Sequence, residues 1–384
     1  MASDLSEFEE IRPYNDEEAV EKLNKYAGHP ILSKVSQYFY PEEGPSYLCE
    51  KIRNIKNVDD FQAFIVIDIL ERIIRKSAGK FSYSGLEHIL DNNGKFLAMS
   101  NHRDIVLDPA FIQLILFKNG IPFSEIAVGS NLLQNELIET LIRSNRMIKV
   151  LRGIPVREQY LTSQLLSKYI RESITTGRSS VWIAQRQGRS KNGIDETEQG
   201  LIKMLDMSGT KDFQQNFEEL NIIPMSISYE YEPCDILKAR ELLISKTQKY
   251  IKAPGEDTNS ILSGIQKYKG NIHISIGTPI TPNEISAAAL CNVANDRYRW
   301  MRHLIDNRII IGYHLWKTNY IAYDLLDGKD RFVKFYTEAE KAAFEAYMQK
   351  QFELVEPELD REALREIFLG IYANPIVSKE KLFG

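Results

Sequence analysis

His102 is the residue of this chain best placed, by type and neighbours, to do acid–base chemistry. It stands in Ser100-Asn101-His102-Arg103-Asp104, with a further carboxylate, Asp108, six residues on. A neutral imidazole whose second nitrogen is held by a carboxylate is a general base, able to take a proton from a hydroxyl. Asp104 and Asp108 are both candidates to hold it. Two arginine-bearing segments can complete an anion site. Arg152 ends an apolar run that begins at Met147, and Gln185-Arg186-Gln187-Gly188-Arg189-Ser190-Lys191 follows another run over 180–184. A planar guanidinium fork suits phosphate oxygens better than a lysine point charge does. Each residue also has a plainer reading: a satisfied structural histidine, Asp108 as a helix cap, Arg157 as a surface arginine.

The elements that must position these groups follow from hydrophobic pattern. Short apolar runs predict strands over 96–99, 125–128, 147–151, 180–184, 222–228 and 272–276. The first lies behind Asn92-Asn93-Gly94, a turn signal, so His102 falls in the bend between a strand end and the next helix. Asp108-Pro109 predicts that helix's start, with Asp108 as N-cap and an almost wholly apolar body over 110–123. A helical stripe over 158–176, stopped by Gly177, joins two strands as a βαβ unit. The expected fold is therefore α/β, a parallel or mixed central sheet flanked by helices, with helical N- and C-terminal extensions. The expected divisions are 1–92, 93–285 and 286–384. In the first, an apolar stripe over 59–76 predicts a helix face packed on the central domain or turned to a membrane. The charged segment 236–251 predicts a solvated helix, and the last helix is expected to close near Asn374-Pro375.

Composition narrows the classes. With 48 basic and 53 acidic residues the net charge is −5, which speaks against a nucleic-acid binder with a broad basic surface. The three cysteines are widely spaced and suggest neither a disulfide framework nor zinc, so a reducing compartment is expected. His303 and His314 have no partners at metal spacing and are read as structural. The acidic start of the chain does not suit a signal peptide, and no run approaches the roughly 20 apolar residues of a spanning helix. No phosphate-binding glycine loop or Gly-x-Ser-x-Gly elbow is present.

Ser-Asn-His-Arg followed by Asp108 resembles the first motif of the glycerolipid acyltransferases, the lysophosphatidate and glycerol-3-phosphate acyltransferases. The run ending in Arg152 is similar to the second motif. Trp182-Ile183-Ala184 with Gln187-Gly188-Arg189-Ser190 resembles the third, normally Pro-Glu-Gly-x-Arg. Ile222-Ile223-Pro224-Met225-Ser226-Ile227 resembles the fourth, and Ile276-Gly277-Thr278-Pro279-Ile280 an element that follows it. The chain departs from the pattern in three places: Asp108 is one residue late, Gln187 stands for a glutamate, and Arg189 comes one residue early. Longer phrases, such as Asn-His-Arg-Asp-Ile-Val-Leu-Asp, resemble a divergent bacterial subgroup. The resemblance implies acyl transfer from acyl-CoA or acyl-carrier protein to a lipid acceptor's hydroxyl, with His102 as base and no metal or bound cofactor. It implies a phosphate site built from Arg152 and Arg189, with Arg103, Gln187, Gly188 and Arg157 as further candidates. The apolar segment 110–123 is read as core, with part of it as the alternative wall of an acyl-chain slot, and the resemblance implies a protein lying peripherally on the cytoplasmic face of a membrane. The alternatives are a lyso-aminolipid acceptor and a lipid-binding member without turnover.

Overall fold

The computed structural model describes residues 5–92, 94–133 and 135–383. Met1 to Asp4, at the acidic start, and Asn93, in the expected turn, lie outside the described residues. Seven strands form one mixed sheet: β1 (Phe81–Ser84), β2 (Leu97–Ser100), β3 (Glu125–Gly129), β4 (Met147–Val150), β5 (Val181–Ala184), β6 (Ile222–Tyr229) and β7 (Ile272–Ile276). Their spatial order is β1-β7-β6-β2-β5-β3-β4. All neighbours run parallel except β6 and β7, which are antiparallel. The six expected strands are present within two residues at each end. β1 is the unexpected one, a four-residue edge strand inside the stretch 1–92 read as helical. Its Phe-Ser-Tyr-Ser alternation is too short to outweigh the helical pattern on its N-terminal side.

Alternation along the strands builds two cores. Leu97, Met99, Val181 and Ile183 face one layer, with Val156–Thr175 and Ala294–Gly312. Ala98, Trp182, Ile223, Met225, Ile227 and Tyr229 face the other, with Leu107–Lys118 and the N-terminal helices. Pro224 is tolerated in buried β6 because it stands just beyond the β7 pairing, where its carbonyl accepts from Gly277 N–H. A third cluster unites Asp235–Ser245, Lys317–Asp327, Glu338–Phe352 and Arg361–Phe383.

Three helix expectations change. The helix over 59–76 is interrupted by a π turn at Gln62–Val66 before Ile67–Ser77. Ile65, Ile67, Leu70 and Ile73 are buried, so its stripe packs on the domain, whereas Phe64 is exposed. The helix at Asp235–Ser245 is not simply solvated: Asp235 and Lys238 are buried, Asp235 receiving hydrogen bonds from Tyr347 and Tyr372 at 2.7 Å each. Finally, Arg361–Phe383 continues through Pro375. The carbonyl that a proline leaves free, that of Ile371, abuts Gly193, whose missing side chain gives it room.

Candidate active site

The site begins where β2 ends. Asn101 is anchored first: its amide oxygen accepts from Ile227 N–H at 2.8 Å, and its nitrogen donates to Ile227 O and Asp195, each at 3.0 Å. His102 then turns into a bend whose far side is the helix Leu107–Lys118. Asp108 lies in that helix's first turn rather than at its N-cap. Asp104 takes the capping role instead, one of its oxygens accepting from the N–H groups of Val106 (2.9 Å) and Leu107 (2.8 Å). The short polar side chain before the helix competes best for its free amides, which leaves Asp108 available.

Four donors converge on Asp108. His102 Nδ1 stands 2.9 Å from one carboxylate oxygen, which also accepts from the N–H of Arg103 (2.5 Å) and Asp104 (2.9 Å). Tyr229 donates its hydroxyl to the other oxygen at 2.7 Å. Asp108 is fully buried, whereas the His102 side chain keeps 14% exposure. Trp182 meets the imidazole edge-on, with centroids 5.9 Å apart, while its indole N–H is held by Ser100. The histidine is thus fixed on three sides, with Nδ1 committed to the carboxylate. Among the described residues Asp104 makes no hydrogen bond or ion pair with the ring. Burial, reinforced by the nearby Asp108, raises its carboxyl above the usual range, and its second oxygen has no hydrogen-bond partner.

Beside His102 opens a cavity of about 1070 Å3. One part is apolar, walled by the N-terminal helices (Val35, Phe39, Ile65, Ile69), by Ala110 of Leu107–Lys118 and by Val128. The polar part carries Arg152, Arg186, Gln187, Gly188, Arg189 and Lys191. Gly188 has φ of +71°, a left-handed conformation that glycine adopts without strain. Lys191 is paired with Glu241. Among the described residues the guanidiniums of Arg152, Arg186 and Arg189 form no ion pair, and Arg186 Nε and Arg189 Nη1 are buried without a hydrogen-bond partner. Burial lowers the Arg152 guanidinium from its ordinary value, yet an arginine remains charged.

The expected site residues therefore divide. His102, Arg152, Gln187, Gly188 and Arg189 share the cavity, and Asp108 stands directly behind the histidine. Arg157 is exposed on Val156–Thr175, outside the lining. Arg103 points away from the cavity. It is wholly buried, donating to Asp195 at 2.6 Å and to Glu232 at 3.3 Å. Burial alone would lower its pKa, but these two carboxylates outweigh it and raise the guanidinium well above its usual value. Lys238 completes the cluster by donating to Glu232 (2.5 Å) and to the Arg103 carbonyl (2.8 Å). Two cations and two carboxylates here brace the bend from behind. The sequence reading missed Tyr229 and the cavity walls from Pro30–Phe39 and Tyr47–Arg53. Tyr229 shares odd-numbered parity with Ile223, Met225 and Ile227, a signal for its face but not for its partner.

Among the described residues no helix is long and apolar enough to cross a membrane. No curated protein matches the chain significantly. Its structure is similar to that of the 1-acyl-sn-glycerophosphate (LPA) acyltransferase PlsC from Thermotoga maritima, covering 78% of this chain and 96% of that one. Identity is 10% and the TM-score 0.42, a level that lends nothing to the reading of the site. Residues 80–228 match the family model described as Acyltransferase. That span begins one residue before β1, ends within β6, and contains His102, Asp108, Arg152 and Arg189; over these residues the chain is similar to the Acyltransferase family.

Proposed function

We propose that the protein transfers a fatty acyl group from a thioester donor to a hydroxyl of a glycerol-phosphate-type acceptor, with His102 as general base. The observation that carries this is the His102–Asp108 pair beside a cavity that is apolar in one part and lined by unpaired guanidiniums in another. With Nδ1–H given to Asp108, Nε2 is the nitrogen free to accept a proton. The acceptor hydroxyl would lose its proton to Nε2 as its oxygen attacks the thioester carbonyl. The new C–O bond forms, the C–S bond breaks, and the imidazolium returns the proton to the leaving thiolate. Asp108 holds the ring in the productive tautomer and stabilises the imidazolium. The apolar wall suits an acyl chain, and the arginines suit phosphate oxygens.

The test is acyl transfer by the purified protein from labelled palmitoyl-CoA and, separately, palmitoyl–acyl-carrier protein. The acceptors are lysophosphatidate, glycerol 3-phosphate and a lyso-aminolipid. Transfer to a phosphate-bearing acceptor that disappears in His102→Ala supports the proposal. Transfer to the lyso-aminolipid alone would overturn the acceptor class, and folded protein that binds lipid without transfer would overturn the enzyme reading.

A further inference from the structure

Strand order decides which cations are able to share a ligand. Five neighbouring strands run β6, β2, β5, β3, β4 and all point the same way. His102 and Arg152 each stand two residues beyond their strands, β2 and β4. Three strand spacings therefore separate them, about 14 Å at roughly 4.8 Å per step. Arg152 borders Gly129 at the end of β3, on the side where Val128, Leu132 and Met147 supply apolar wall.

Arg189 departs in the opposite direction. The segment after β5 crosses in front of β2, where Ser190 donates its N–H to the His102 carbonyl at 2.7 Å. It continues to Asp195, which receives Arg103 and Asn101, the latter also bonded to β6. Lys191 pairs with Glu241 on Asp235–Ser245, the helix that follows β6. Asp104 and Cys234, both on that flank, lie within reach of the Arg189 charge. Arg152 and Arg189 thus stand on opposite flanks of the histidine. Neither is neutralised by a carboxylate ion pair among the described residues, and Arg189 Nη1 is buried with no partner.

Acyl transfer requires two substrates to meet at His102, the hydroxyl within hydrogen-bond reach and the thioester carbonyl against it. From this arrangement we propose that the cavity holds two separate anion subsites. Arg152 takes the single phosphate of the acceptor. Arg189, with Arg186 on the same segment, takes the phosphate of the donor's phosphopantetheine thiol carrier. Charge assigns the two. Arg152 is a lone cation beside an apolar wall, the surroundings for a phosphate monoester with an acyl tail. The segment 185–191 presents two guanidiniums without a carboxylate ion pair, Arg186 and Arg189, which suits the more highly charged partner. This assignment rests on the acyl-transfer reading and departs from the expectation that Arg152 and Arg189 hold one phosphate together.

Two-substrate kinetics on the full chain test it, with lysophosphatidate as acceptor and palmitoyl-CoA or palmitoyl–acyl-carrier protein as donor. Arg152→Ala is expected to raise KM for the acceptor more than tenfold with the donor KM within about twofold, and Arg189→Ala to do the reverse. Equal effects of Arg189→Ala on both donors identify their shared phosphopantetheine phosphate; a larger effect on palmitoyl-CoA identifies the additional phosphates of CoA. Both variants raising KM for the same substrate would overturn the division. Equilibrium titration with free CoA and with glycerol 3-phosphate separates this outcome from failure of the acyl-transfer reading. The proposal expects the two ligands to bind together and each variant to lose one; competition between them refutes it even in a protein without turnover.

Discussion

Exchanging Asp108 for asparagine tests the arrangement behind the histidine with almost no change of shape. The amide oxygen can take the place that accepts from His102 Nδ1 and from the N–H groups of Arg103 and Asp104. The amide nitrogen then faces Tyr229, whose hydroxyl can rotate to accept. What is lost is the charge. Hydrogen bonds to a charged group are worth about twice neutral ones, so three weakened bonds should cost about 3 kcal/mol of stability. The variant should fold and bind substrates normally. The imidazolium formed on proton transfer would have no counter-charge, and kcat should fall by roughly 10^2–10^4 with KM little changed. Asp104→Asn is the matched control. Its amide oxygen can keep the Val106 and Leu107 N–H groups, while its nitrogen takes the place of an oxygen that has no partner. Because burial raises the Asp104 carboxyl, the folded state holds that proton more tightly than the unfolded chain does. Wild-type stability should therefore be complete below the ordinary carboxylate range and fall as pH rises through the raised value. Asp104→Asn should remove that loss and retain near wild-type kcat. Denaturant titration at acid and neutral pH, with steady-state kinetics on both variants, decides the matter. A fully active Asp108→Asn, or equal damage from both substitutions, would refute this account of His102.

Tyr229→Phe should lower stability by about 1–3 kcal/mol, since it leaves a buried carboxylate oxygen without its donor. A carboxylate that has lost a donor holds a proton on the neighbouring imidazole more strongly. The acid limb of the kcat/KM profile should accordingly move to higher pH, and an unmoved limb would count against a positioning role. Arg103→Ala leaves Asp195 buried without its cation, while Glu232 keeps Lys238, so about 3–5 kcal/mol of stability should be lost in thermal unfolding. Loss of substrate affinity at wild-type Tm would instead return Arg103 to the binding site. Ile69→Trp projects bulk into the apolar part of the cavity and should shift donor preference toward shorter acyl chains. An unchanged chain-length profile would remove that wall from the acyl site.

The sequence by itself determined the strands that carry the chemistry and the bend in which His102 stands. Those depend on alternation and on turn and proline signals a few residues long, which the chain cannot satisfy in many ways. It also supplied both carboxylates and most of the cations. Which carboxylate meets the imidazole was not a local matter. Asp104 and Asp108 are both close enough in sequence, and only the helix beginning at Leu107, whose free amides Asp104 caps, turns Asp108 toward the ring. Arg103 reads as a substrate ligand beside a histidine. Its actual partners lie 92 and 129 positions away and become neighbours only when the segment after β5 and the end of β6 close behind the bend. Tyr229, 121 positions from Asp108, is brought to it by the pairing of β6 with β2. The same lateral order, invisible in the sequence, puts Arg152 and Arg189 on opposite flanks of the histidine. Local elements answer to short-range periodicity and sterics, whereas ion pairs and subsites answer to which strands are neighbours in space. That order is settled by the packing of the whole sheet.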